Sequence, residues 1–380
     1  MSRINVMQPW LGEEEIAAVT EVIASGWVAQ GPRVAEFEAR FGLAVGSPYA
    51  VATSSCTTAL HLALVVAGIG PGDDVLVPSF SFIATANAPT YVGARPVFID
   101  VDETTGNVTA DAVRAAITPR TRAVIVVDQG GVPVDLDPIR AVCDPRGIVV
   151  VEDAACGAGS TYQGRPVGAG AEIACWSFHP RKLLTTGEGG MLTTTRADWA
   201  ARARQLREHA MSISAAARHT SVLPPAEEYA EVGFNYRMTD LQAALGLVQL
   251  SRLPEIVRRR RELAACYTEQ LRGVPGLRCV ADPPWGTSNF QSFWVEVLPG
   301  HPVGRDGLMR LLAEADISAR RGIMAAHRQP AYADRDCGWG ELPVTDRLSS
   351  NTLILPLFHQ LSPVEHARVV EVLRTAGVPR

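Results

Sequence analysis

From about residue 10 to residue 250 the chain alternates between short apolar, β-branched runs and longer stretches with helical spacing. The runs are YAVAT, DVLVP, RPVFID, AVIVV and IVVVED. Between them lie TTALHLALVVAGIG, TADAVRAAI and DLDPIRAVC. Strands that are apolar throughout, rather than at every second position, belong to a sheet covered on both faces. Their alternation with helices predicts an α/β architecture with a mainly parallel central sheet flanked by helices. Ligands of such sheets collect at the carboxyl ends of the strands. Three of those ends are polar: Glu152-Asp153, Asp128-Gln129-Gly130-Gly131, and Ser54-Ser55-Cys56-Thr57-Thr58, which runs into a helix.

After about residue 250 the texture changes. LPEIVRRRRELAACYTEQLRG predicts a long helix closed by Gly273. QSFWVEV predicts a strand, and GRDGLMRLLAEA and SPVEHARVVEVLRTAG predict helices. The pattern divides the chain into a large domain over 1–250 and a smaller α+β domain over 251–380. It leaves open that the N-terminal segment packs with the small domain. Arg258 to Arg261 read as a solvated helix face. GEEEIAAV reads as acidic residues favouring a helix start, with no acid–base role.

Composition narrows the function classes. The 380 residues are 47% apolar and 20% charged with net charge −5, ordinary for a globular protein. That balance does not favour nucleic acid or an anionic membrane as partner. No apolar run reaches the ~18–20 residues that span a bilayer, and the opening residues carry no signal-type stretch, so a cytoplasmic location is expected. Seven cysteines are scattered without a C-x-x-C pair, and no H-x-x-x-H occurs. This argues for a reducing compartment and predicts no metal site.

Four segments carry candidate chemistry. SSCTTALHLAL, Ser54 to Leu64, places small hydroxyl residues at a helix start. There, free amides suit a phosphate, or Ser55 or Thr57 simply caps the helix. Asp153 ends a buried strand, where a carboxylate is costly unless paired. It either caps the next helix or holds a cationic ring nitrogen. SFHPRKLLTTGEGG, Ser177 to Gly190, sets Lys182 among glycines that allow a tight turn and close backbone approach. Lys182 is either an exposed loop charge or a reactive amine whose pKa burial would lower. In EVGFNYRMTDLQAALG, Thr239 or Asp240 looks like a helix cap, and Asn235, Tyr236 and Arg237 before it have no evident core role. A phosphate cradle, an acid for a ring nitrogen and a nucleophilic Lys are what pyridoxal phosphate needs.

SFHPRKLLTTGEGGMLTT resembles the S-F-x-x-x-K-x-x-x-x-G-E-G-G signature of the DegT/DnrJ/EryC1/StrS aminotransferases, a sugar-aminotransferase group within the fold-type-I pyridoxal phosphate enzymes. PWLGEEEIAAVTEVIASGWVAQGPRVAEFE, PSFSFIATANAPTYVGARPVFIDVD, GFNYRMTDLQAALGLVQL and LPLFHQLSPVEHARVVEVL extend the resemblance over nearly the whole chain. It implies that Lys182 forms a Schiff base with the cofactor aldehyde and that Asp153 pairs with the pyridinium nitrogen. Phe82 would stack on the ring. Cys56, Thr57 and Ser177 would lie at the phosphate, and Cys156 near the ring hydroxyl. Asn235 would reach the phosphate of a second subunit, making a homodimer with shared sites. His327, with Tyr236 and Arg237, would lie on the substrate side.

The resemblance further implies transfer of an amine from glutamate or glutamine, by way of pyridoxamine phosphate. The acceptor would be a keto group on a nucleotide-linked sugar, in deoxyaminosugar or secondary-metabolite biosynthesis. A keto-cyclitol is the alternative acceptor. Cys56 stands where the family often has Gly, Cys156 where it often has Gln or His, and Asp128-Gln129 replace a common His-containing run. A sugar 3-dehydratase of this family would carry His in place of Lys182. A cofactor-binding regulator would not need the intact Lys–Asp–glycine set. A dehydrogenase-type protein would carry G-x-G-x-x-G after its first strand, which is absent here.

Overall fold

Each apolar run of the first half becomes a strand. The computed structural model describes residues 3–213, 226–333, 337 and 340–377. Its strands are β1 (Tyr49–Thr53), β2 (Asp74–Pro78), β3 (Arg95–Ile99), β4 (Thr121–Val127), β5 (Val149–Asp153), a short pair β6 (Thr161–Tyr162) and β7 (Arg165–Pro166), β8 (Ile173–Ser177) and β9 (Gly190–Thr194). Seven of these form the central sheet, in the order β1-β9-β8-β5-β4-β2-β3. Only β9 runs against its neighbours in this sheet. The reason is local. Residues 178–189 join β8 to β9 without a helix, so the chain must double back, whereas a parallel pair needs a crossover.

Helices cover both faces. α1 (Glu13–Ser25) and α2 (Pro32–Ala44) precede the sheet, followed by α3 (Cys56–Val66), α4 (Ile83–Tyr91), α5 (Ala110–Ala116), α6 (Leu136–Cys143) and α7 (Ala197–Leu206). One core packs Phe37 and Phe41 of α2, and Ile139 of α6, against Trp176 and Phe178. The other packs Leu60 and Leu64 of α3, and Ala200 of α7, against Val75 and Val77. Away from the strand ends, sheet residues are therefore buried whichever way they point, which is why the strands read as apolar runs.

The second half is built on the helix Asp240–Leu271 and an antiparallel sheet. Its strands are β10 (Leu277–Cys279), β12 (Phe293–Val297), β13 (Arg320–Arg321) and β14 (Thr352–Leu355), in the order β10-β12-β14-β13; β11 (Gly286–Thr287) pairs with β6. The long helix runs through residue 250, so the chain passes between the two sheets without a loop at that position. The N-terminal segment lies on the small sheet's side: Ile4 bridges Ile317, and Leu357 donates to the Val6 carbonyl. Among the described residues no helix is long and apolar enough to cross a membrane.

Thr239 caps the long helix by accepting from the Gln242 amide. Asp240 caps a different one: its carboxylate accepts from the amides of Gly31, Arg33 and Val34 at the start of α2. The reading of Arg258–Arg261 as a solvated face is corrected at one position. Arg258, Arg259 and Arg261 pair with nearby acids or carbonyls at the surface. Arg260, only 1% exposed, points inward and donates to the carbonyls of Phe290 (2.9 Å), Gln291 (2.7 Å) and Leu357 (2.8 Å). Burial pulls its pKa down, but a guanidinium remains charged at neutral pH. Four consecutive residues on a helix fan out over about 300°, so one of them here faces the core.

Candidate active site

The carboxyl ends of β1, β4, β5 and β8 open into one cavity of about 420 Å³. Its wall includes Cys56, Thr57, Phe82, Asp153, Cys156, Ser177 and Lys182, seven of the residues singled out from sequence. Gln291, Ser292, Arg320 and Leu355, from the second half of the chain, also line it. Val6 and Met7 also line it.

At one end, Ser55 caps α3 by accepting from the Thr58 amide, while the Thr58 hydroxyl accepts from the Ser55 amide. Ser55 is thus the cap, and the first amides of the helix, at Cys56 and Thr57, have no acceptor within it. β9 approaches this turn closely. A Cβ added to Gly190 would lie 2.3 Å from the Ser55 carbonyl carbon. The last glycine of G-E-G-G therefore permits backbone contact, whereas Gly187 turns the chain with φ +82°.

In the middle, Asp153 ends β5. Its carboxylate accepts from the Thr85 hydroxyl (2.9 Å) and the Ala155 amide (3.2 Å), with the Cys56 thiol at 3.9 Å. Ser81 in turn touches the Thr85 hydroxyl at 2.8 Å. Burial pushes the Asp153 carboxyl up, with Thr85 and Lys182 pulling it back. Burial, then the Asp153 charge, pushes the thiols of Cys56 and Cys175 well above their ordinary value, so both stay neutral.

Lys182 lies opposite, with Nζ 3.1 Å from Cys156 Sγ. The expectation of a lowered amine pKa is overturned. Burial lowers it, but the adjacent Cys156 sulfur and then the Asp153 carboxylate outweigh burial and hold the ammonium above its ordinary value. An apolar wall alone would have depressed it; a buried carboxylate and a close sulfur reverse the sign.

Asn235, Tyr236, Arg237 and His327 do not line this cavity within the protomer. Asn235 is exposed, its backbone bridged to Glu208. Tyr236 is stacked on Phe234 and bonded through its hydroxyl to His61 Nδ1 at 2.9 Å. Arg237 is half-buried beside it. His327 sits behind the wall, 2.6 Å from the Ser79 hydroxyl and 3.3 Å from Asp346. The residues missed from sequence are Thr85 and Ser81, which follow the end of β2, and Gln291 and Arg320, far along the chain. The rule about strand ends could have found the first two, as it found Gln129.

A model of the DegT/DnrJ/EryC1/StrS aminotransferase family matches residues 9–374. The chain belongs to this family. It is a pyridoxal phosphate-dependent transaminase. Among solved structures it is similar to the aminotransferase TlmJ from Streptoalloteichus hindustanus, with 41% identity, 98% of each chain covered and TM-score 0.90. It is also similar to DesI, determined in the presence of its TDP-sugar product (32% identity, 100% of this chain and 94% of that chain, TM-score 0.89). A third is the PLP form of Spr1654 from Streptococcus pneumoniae (28% identity, 99% of this chain and 98% of that chain, TM-score 0.91).

The cavity of this aminotransferase fits its cofactor. Its wall brings together open helix-start amides, a buried carboxylate and a primary amine. Its size lies within the ~300–1,000 Å³ usual for small-molecule sites.

Beneath Asp153 lies a second acidic pair. The Asp128 amide donates to the Asp153 carbonyl (3.2 Å), and Val126 pairs with Glu152 across β4 and β5. Asp128 Oδ2 and Glu152 Oε2 are buried without hydrogen-bond partners among the described residues. Burial pushes Glu152 up to about 7; burial and then Glu152 push Asp128 well above its ordinary value. Both pKa values are raised on folding, so the native state holds protons that the unfolded chain releases. This contribution to stability therefore falls as pH rises from the ordinary carboxyl range toward about 7. Asp128→Asn should raise stability at pH 8 by about 1–3 kcal/mol and much less at pH 5. Thermal melts of both proteins at the two pH values measure the difference.

Proposed function

We propose that this transaminase moves an amino group from glutamate or glutamine to a keto group of a nucleotide-linked sugar, in deoxyaminosugar or secondary-metabolite biosynthesis. The observation that carries the reading is that Lys182, Asp153 and the open start of α3 line one cavity. The likeness to DesI, whose structure was determined with its TDP-sugar product, supports the acceptor class.

Pyridoxal phosphate, when bound, supplies an electron sink for the carbon that loses its proton. The amides of Cys56 and Thr57, with the Thr57 and Ser177 hydroxyls, would hold its phosphate. Asp153, oriented by Thr85 and the Ala155 amide, would hold the ring nitrogen in its protonated form. A cation there offsets the cost of burying the carboxylate. Phe82 would cover one face of the ring and Cys156 would flank it. Lys182 would bind the cofactor through Nζ and then move the proton at the donor's Cα.

Asn235 would reach the phosphate in a second copy of the chain, giving a homodimer. Val232 and Tyr229, 86% and 57% exposed, lie near it and would be covered there. His327 would act by holding Ser79 at the end of β2, two residues before Ser81 of the cavity wall. Tyr236 and Arg237 would face the substrate from the same segment as Asn235.

The test is spectroscopic. Protein loaded with pyridoxal phosphate should change its near-visible absorption on adding glutamate or glutamine. Addition of a TDP-linked keto-sugar should then reverse the change. Discharge only by keto-cyclitols or other non-sugar ketones would sink the acceptor assignment. No response to either amino acid would sink the donor assignment.

A further inference from the structure

Arg181 and Arg320 come from opposite sides of the cavity and line it together. Arg181 immediately precedes Lys182, and Arg320 belongs to β13 of the small sheet. The backbone of each is anchored. The Arg181 amide donates to His179 Nδ1 (3.1 Å) and its carbonyl accepts from Gln291 Nε2 (2.9 Å), while Arg320 pairs with Ile354. Their guanidinium groups are different: among the described residues neither has a carboxylate or carbonyl partner. Neighbouring arginines do. Arg321 reaches Asp306 at 3.2 Å, Arg328 reaches Asp346 at 2.6 Å, and Arg261 reaches Asp282 at 2.9 Å. Glu188, an acid in the same wall, lies 3.9 Å from His179.

Both residues are exposed at the mouth, where two like charges repel one another. Burial and the charge of Arg181 both lower the pKa of Arg320, which marks the two groups as mutually close. An arrangement of this kind leaves two cations without protein partners among the described residues and open to an anion. The planar guanidinium meets carboxylate or phosphate oxygens in pairs, and the field of a concave wall concentrates anions.

We propose that Arg181 and Arg320 form an oxyanion-binding subsite at the cavity mouth, placed to fix the charged group of a substrate while its reacting atom lies at Lys182. The chemistry is shared by two sources: the carboxylate of the amino donor and the diphosphate of the sugar acceptor. The identity of the second source rests on the acceptor reading above; the existence of the subsite does not.

The experiment uses protein loaded with pyridoxal phosphate, as wild type, Arg181→Gln, Arg320→Gln and the double variant. Calorimetric titrations with glutarate and with inorganic pyrophosphate at fixed ionic strength read the subsite directly, without turnover. Wild type should bind at least one of them, and each single variant should bind it at least about tenfold more weakly, as expected for a lost charge-assisted hydrogen bond. Steady-state kinetics identify the source. A raised KM for glutamate with kcat nearly unchanged assigns the carboxylate; a raised KM for the TDP-linked keto-sugar assigns the diphosphate. Arg320→Lys should restore part of the affinity, because charge returns without the paired geometry. Wild type that binds neither probe overturns the proposal. So do variants that bind both probes as wild type does and keep both KM values. Failure of the sugar as acceptor leaves the calorimetric result standing, so the two readings fail separately.

Discussion

Lys182→Ala should reduce transamination by at least about a thousandfold. The magnitude follows from the two roles proposed for one amine. Positioned proton transfer alone is worth roughly 10²–10⁴ in rate, and the covalent attachment point is lost with the same atom. The variant should still fold and still bind cofactor, because the α3 start and Asp153 are untouched. Its bound cofactor should lack the near-visible band of the lysine-linked form. Lys182 also helps pull the Asp153 carboxyl down. With Lys182 removed, Asp153 should be protonated more readily, leaving the ring nitrogen a weaker partner. Absorbance after cofactor loading and a single-turnover assay with glutamate measure both effects. Wild-type turnover in this variant would remove Lys182 from the chemistry.

Arg260→Leu should destabilise the protein by about 3–5 kcal/mol, a large share of the ~5–15 kcal/mol that usually separates folded from unfolded states. Three carbonyls, of Phe290, Gln291 and Leu357, point at this one guanidinium. Leucine fills much of the space but leaves all three without a donor. A buried acceptor left unsatisfied costs more than its hydrogen bond contributed. If the 380 residues unfold together, the midpoint should fall by roughly 4–6 °C. Arg258→Ala, two positions away and paired with Glu262 at the surface, should change stability by less than about 0.5 kcal/mol. Equal effects of the two substitutions would show that the buried guanidinium is not the tie between the long helix and the small sheet. Gln291 and Leu357 also line the cavity, so Arg260→Leu should weaken cofactor binding as well.

The strands were legible because their composition is extreme. YAVAT and DVLVP coincide with β1 and β2, and IVVVED contains β5. The site was legible wherever its residues follow strand ends or sit in the glycine signature, as Asp153, Ser177 and Lys182 do. What was missed depends on contacts between distant segments. Thr85 orients Asp153 from 68 positions away, Gln291 holds the Arg181 carbonyl from 110 positions away, and Asp240 caps a helix begun some 200 residues earlier. Periodicity assigns each residue a face of its own element. It says nothing about which element that face will meet.

By itself, then, the sequence determined which segments are strands and helices, because burial on both faces demands continuous apolar runs. It also singled out Lys182 and Asp153, which the fold brings to one cavity, because their local signatures are specific. Only the tertiary structure decided the electrostatic state of that amine. Burial and neighbouring anions act in opposite directions, and their balance depends on distances that no local pattern encodes. For the same reason it alone decided that Arg260 is a buried tie and that Arg181 and Arg320 meet across the mouth of the cavity.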